Sequence, residues 1–105
     1  MLSLEWRPRA LLDRESIALY LGHECGNPKA ALKVVRAIDQ ALQQACDFPE
    51  IGKPFTHEVL AREGYRQLVV RQYLVFYTHD AARLTVQRIL HQHQDIDDYA
   101  LIEFE

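Results

Sequence analysis

The rhythm of apolar positions divides the chain. Between Tyr65 and His91 the apolar and β-branched residues fall into three short runs, Tyr65 to Val70, Tyr73 to Thr78 and Leu84 to His91. Arg71-Gln72 and His79-Asp80-Ala81-Ala82 separate them at hairpin spacing, which predicts three consecutive antiparallel strands. In the middle run Leu74 and Phe76 share one face and Tyr73, Val75 and Tyr77 the other. That alternation predicts a central strand covered on one side and partly open on the other. Near the start, Leu2, Leu4 and Trp6 alternate with Ser3 and Glu5, a first strand expected at an edge of the sheet.

Between these stretches the period lengthens to that of a helix. Pro8 suits a first helical turn, and a helix over about Arg9 to Glu24 would turn Ala10, Ile17, Tyr20 and Leu21 inward, with Asp13, Arg14 and Glu15 facing water. Gly22 to Gly26 stops it. Asn27-Pro28 then starts a second helix, Asn as N-cap and Pro in the first turn. Its inward stripe is Ala31, Val34, Val35, Ile38, Ala41, Leu42 and Ala45, with Lys33, Arg36, Asp39 and Gln43 opposite. Two helices on a short link make an antiparallel hairpin whose apolar seam needs a sheet face. Pro49, Gly52 and Pro54 mark a loop in which Phe48 and Phe55 are expected to anchor to the core, and Thr56 to Leu60 is a short strand or an irregular crossing. The order β-α-α-β-β-β predicts an α+β fold, an antiparallel sheet with a two-helix hairpin packed on one face.

At 105 residues the chain is one domain with one main core, spanning 1–105. No apolar run approaches a membrane span, and the start MLSLEWRPR lacks a signal-peptide core, so a cytoplasmic protein without membrane contact is expected. Cys25 and Cys46 have neither metal-knuckle spacing nor disulfide density, which favours reduced thiols. Net charge is −3, yet the five acids Asp95, Asp97, Asp98, Glu103 and Glu105 lie in a tail that has no Lys or Arg, and the rest of the chain sums to +2. From Arg62 to His93 five arginines face only Glu63 and Asp80. A basic sheet and an acidic tail that also carries Ile96, Tyr99, Leu101, Ile102 and Phe104 suit contact with macromolecular partners.

Candidate chemistry gathers on the sheet. On extended backbone His91, His93 and Asp95 point the same way, a set suited to acid-base work or, with ligands from a second segment, to a metal. No second segment supplies such ligands, so no metal and no cofactor is expected. Arg66, Arg71 and Arg88 carry the planar fork that grips phosphates and carboxylates. Arg88 shares strand parity with Leu84, Val86 and Leu90, so either a bulge turns it outward or a carboxylate meets it half-buried. Tyr65, Tyr73 and Tyr77 serve sheet packing or base stacking.

Several of these features occur together in order. Trp6, Pro8, Ala10, Asp13, Ile17 and Tyr20 are followed by Asn27, Ala30, Ala31, Phe48-Pro49 and Gly52-Lys53-Pro54, then by Tyr65-Arg66, Leu68-Val69-Val70, YLVFY and RILHQHQD. From Trp6 to Asp95 the chain resembles the RelE/ParE superfamily of toxins from bacterial type II toxin-antitoxin modules. YLVFY and RILHQHQD are closer to ParE, and Leu74 stands where RelE has an arginine after the tyrosine that begins the middle strand. The resemblance implies a growth-inhibiting toxin that binds DNA gyrase and is neutralised by a cognate antitoxin in a hetero-oligomer. Arg62, Arg88, Asp95, Tyr99 and Phe104 would contact target or antitoxin. A RelE-like member would instead cleave mRNA in the ribosome, with Arg66, Arg71, Tyr73, His91 and His93 as catalytic candidates.

Overall fold

A computed structural model describes residues 1–55 and 63–92. The expected strand or crossing at Thr56 to Leu60, the acidic tail, and Arg62, His93, Asp95, Tyr99 and Phe104 lie outside the described residues. In chain order the elements are β1 (Ser3–Trp6), α1 (Pro8–Leu19), α2 (Pro28–Asp47), β2 (Lys53–Pro54), β3 (Arg66–Val70), β4 (Tyr73–His79) and β5 (Arg83–His91). They build a five-stranded sheet in the order β1-β5-β4-β3-β2. The α+β fold with a helical hairpin on the sheet is as expected, and β1 is an edge strand. The sheet is mixed, however, because β1 runs parallel to β5. Alternation fixes which residues of a strand face inward and says nothing of its direction, and β1 reaches β5 only after the rest of the fold intervenes. Among the described residues no helix is long and apolar enough to cross a membrane.

The hairpin is closed by local chemistry. α1 ends at Leu19 and runs into a wide π-helical turn over Tyr20–Glu24, where the Cys25 N–H donates to the Tyr20 carbonyl at 2.9 Å. Tyr20 opens that turn and is exposed instead of inward. Gly26, at a φ of 62°, lets the backbone reverse. Asn27 Oδ1 then accepts the Ala30 N–H at 3.1 Å and caps α2, with Pro28 in the first turn. α2 buries Ala31, Ile38, Leu42, Ala45 and Cys46, and full burial of a side chain such as Ile38 or Leu42 contributes about 2 kcal/mol.

The helices cover the sheet face formed by Tyr73, Val75, Tyr77, Leu84, Val86 and Ile89. The other face is not open at its centre. Leu74, Phe76 and Leu90 are buried there with Tyr65, and Phe55 meets Phe76 edge-on at 5.2 Å between ring centroids. Phe55 is therefore an anchor as expected. Phe48 is not, with 65% of its surface exposed.

The loop after α2 is held to the sheet by polar groups that point out of it. Tyr77 donates its hydroxyl to the Pro49 carbonyl at 2.7 Å and accepts the Gly52 N–H at 3.0 Å. Arg66, paired across the ladder with Tyr77, donates to the Gly52 carbonyl at 2.7 Å and to that of Glu50 at 3.4 Å. The approach is so close that a methyl group at Gly52 would sit 2.6 Å from the Tyr77 hydroxyl oxygen and 2.8 Å from its ring. Replacing Tyr77 by Phe keeps the ring and strands the buried Gly52 N–H, and urea unfolding should show a loss of about 2 kcal/mol. Gly52→Ala should cost more, and a loss under about 0.5 kcal/mol in either variant would show that the loop is held some other way.

Candidate functional site

β1 ends opposite Val86, so beyond that point β5 has no strand on its outer side among the described residues. α1 lies along this stretch instead, and the two elements leave a cleft of about 640 Å³. Asp13, Ser16, Ile17, Tyr20 and Leu21 form its helical wall, and Gln72, Tyr73 and Arg88 to His91 the strand wall.

Asp13 joins the two walls. Its Oδ2 accepts the Arg88 Nε–H at 2.7 Å and the Ile89 backbone N–H at 2.9 Å, and its Oδ1 accepts Arg88 Nη2–H at 3.3 Å. The pair is largely withdrawn from water, with side-chain exposures of 8% for Arg88 and 14% for Asp13. Strand register takes Arg88 off the helix-covered face, and it meets Asp13 at the open edge of β5. The β4–β5 ladder passes from Phe76↔Arg88 to Tyr77↔Val86, so Gln87 is an extra residue and the parity of β5 changes there. Both sequence alternatives for Arg88 are thus realised together: a bulge turns it and a carboxylate receives it. Asp13 does not face water as its place on the helix suggested. The unmatched parity of Arg88 was the signal that either a bulge or a carboxylate from elsewhere in the chain had to accommodate it.

The strand wall is aromatic. Tyr73 and His91 are cross-strand partners with ring centroids 5.3 Å apart and planes at 85°. Burial pushes the Tyr73 phenol above the usual tyrosine range, and the nearby Tyr20 and Cys25 add to the shift. A hydrogen bond with the Cys25 thiol raises Tyr20 in the same direction. Beside this wall, the β3–β4 hairpin turns through Arg71 and Gln72, and Arg71 holds a φ of 55° on exposed backbone where glycine would be at ease. Leu12 and Leu19, one turn to either side of Ser16 on α1, expose 57% and 65% of their surface next to the residues that line the cleft.

The structure therefore brings Tyr73, Arg88 and His91 into one cleft and sets Arg71 at its edge. Arg66 is elsewhere: it pairs with Tyr77, about 13 Å from Tyr73 along the strand at roughly 3.3 Å per residue, and is tied to the loop after α2. Asp13, Ser16, Tyr20 and Gln72 complete the site and were not singled out by sequence, because their positions depend on how α1 crosses β5. Among the described residues no three His, Cys, Asp or Glu side chains gather as metal ligands.

Comparison with known proteins places the arrangement in context. The family profile described as "ParE toxin of type II toxin-antitoxin system, parDE" matches residues 4–96. A solved structure of the chromosomal ParDE TA system from P. aeruginosa superimposes with a TM-score of 0.66 at 21% identity, covering 87% of this chain and 96% of that one. That likeness is one of fold. No curated protein sequence matches the chain.

Two expectations follow from the geometry. Asp13→Ala leaves a buried guanidinium uncompensated and should lower stability by about 3–5 kcal/mol in denaturant unfolding, whereas the double variant Asp13→Leu/Arg88→Met should be more stable than either single change. Equal stabilities of Asp13→Ala and wild type would contradict the pairing. The raised phenols of Tyr73 and Tyr77 give stability that is complete below the unfolded tyrosine pKa near 10 and is lost as pH rises through the higher folded values. Ultraviolet titration of the folded protein should accordingly show Tyr73 and Tyr77, together with Tyr20, ionising above the usual tyrosine range.

Proposed function

Because the chain belongs to the ParE toxin family of type II toxin-antitoxin systems, we propose that it arrests growth by binding DNA gyrase in the cytoplasm. A cognate antitoxin holds it inactive in a toxin-antitoxin hetero-oligomer. The observation that supports binding over cleavage is that two of the groups a nuclease would use are engaged in the fold: Arg66 is bound to loop carbonyls and Tyr73 is a buried neutral phenol, while the neighbouring Arg88 is ion-paired to Asp13. Such a site offers shape, exposed apolar neighbours and charge to a partner, and is poorly suited to taking up protons in a reaction. Target contact falls to the cleft mouth: Arg71, Gln72, His91 and the exposed Leu19 and Tyr20. Arg62, Asp95, Tyr99 and Phe104 are proposed to extend the contacts to target or antitoxin.

The Tyr73–His91 contact supports a second reading, a ribosome-dependent mRNA endoribonuclease. In it His91 or His93 moves protons and Arg66 or Arg71 steadies the phosphate. Primer extension on translated messages separates the two, since this reading requires codon-position cuts that vanish in His91→Ala/His93→Ala.

Inducing the protein alone should cause filamentation and DNA damage with bulk mRNA intact, and coexpression of the antitoxin should restore growth. Arg71→Gly removes the guanidinium while relaxing the left-handed backbone, so stability should hold or rise by up to about 1 kcal/mol. The same variant should inhibit gyrase supercoiling at least about tenfold less well. Unchanged inhibition by Arg71→Gly would remove the cleft mouth from the interface.

A further inference from the structure

We infer that the solvent face of α2 is a contact surface for the phosphate backbone of duplex DNA. Lys29, Lys33 and Arg36 follow one another at four- and three-residue intervals, and Gln40, Gln43 and Gln44 continue the line. All six are exposed, on the side of the helix opposite the buried Ile38, Leu42 and Ala45. The three cations span about 10.5 Å, and the whole line about 22 Å, at 1.5 Å per residue. Between Pro28 and Asp47 the helix has two carboxylates: Asp39, which lies to the side of the line and is held by Arg14 at 2.6 and 3.1 Å, and the exposed Asp47 at the far end from the cations. None of the three cations forms an ion pair among the described residues.

A merely solvated helix in a chain with 15 acids and 12 Lys and Arg would mix the signs and gain from pairs four residues apart. This face instead gathers three cations in its first half and neutral glutamines beyond them, with Asp47 only at its end. Their position also works against the helix, since the first turns of α2 contain no acid and place lysine at the positive end of the dipole. An arrangement unfavourable to the helix is favourable to a polyanion that lies along it. The line itself has no aromatic or aliphatic anchor of the kind that fixes a protein interface, with Leu32 only at its margin. DNA supplies a negative charge about every 1.7 Å of its axis, so a short straight row of cations finds phosphates without reading sequence. The inference does not depend on the gyrase reading, because it concerns the protein and DNA alone. If both hold, the toxin grips enzyme and DNA from two different faces.

The test is fluorescence anisotropy of a labelled 20-base-pair duplex titrated with the full-length protein at several salt concentrations. Binding at low salt should weaken with a log-log slope near −2.7, as expected for about three phosphate contacts. Lys29→Gln/Lys33→Gln/Arg36→Gln should abolish most of that slope and weaken binding at least about tenfold at low salt. Lys29→Arg/Lys33→Arg should bind as wild type. The face is exposed, so circular dichroism should show both variants folded. No binding at low salt, binding untouched by the glutamine variant, or equal affinity for poly-glutamate of matched charge would each overturn the inference. Gyrase inhibition can be scored separately, with the glutamine variant in the absence of added salt, so failure here leaves that reading standing.

Discussion

One carboxylate holds the helical layer to the exposed end of the sheet. Asp13 receives three hydrogen bonds from β5: two from the Arg88 guanidinium and one from the Ile89 backbone. The backbone bond matters as much as the charge. β1 stops short at Trp6, and an uncovered strand edge would present free N–H groups to other chains. Asp13 satisfies one of them and sets the distance at which α1 crosses β5. The bulge at Gln87 is the second half of the device: it moves Arg88 off the face that Leu84 and Val86 share under the helices and sets it opposite Phe76, so that its guanidinium meets Asp13 at the open edge of β5. The cleft is the space left by that crossing, and its polar floor is neutral because the two buried charges cancel.

The opposite end of the sheet is fixed by different means. There Tyr77 and Arg66 reach from adjacent strands to the loop after α2, and Gly52 allows the contact. The two ends thus divide the labour of the sheet. One is locked to its loop by neutral and cationic donors, and its arginine is used up in doing so. The other has Gln72 and His91 in the cleft wall and the exposed Arg71 next to Gln72 in the turn, the groups we propose for partner contact.

Much of this was legible in the chain. Alternation gave the three main strands and the edge strand, and the Asn27-Pro28 pair gave the start of α2 together with its capping bond. Periodicity could not give the parallel direction of β1, since direction is invisible to a pattern of faces. It also failed at Tyr20, which lines the open cleft beside Ile17, and at Phe48, which is exposed in the loop after α2. In the site, Tyr73 and His91 were found because they lie on one strand pair. Asp13 was missed because its role needs a partner 75 residues away. The odd parity of Arg88 pointed to a bulge or to such a partner, without saying which residue the partner would be.

The central claim is that the mouth of the α1–β5 cleft is where the protein meets its target. Hydrogen-deuterium exchange of the full-length protein with and without purified DNA gyrase tests it most directly. The account predicts slowed exchange at Ser16 to Leu21, at the Arg71-Gln72 turn and at His91, with the solvent face of α2 unchanged when no DNA is present. Protection confined to other surfaces, or none at saturating gyrase, would contradict it.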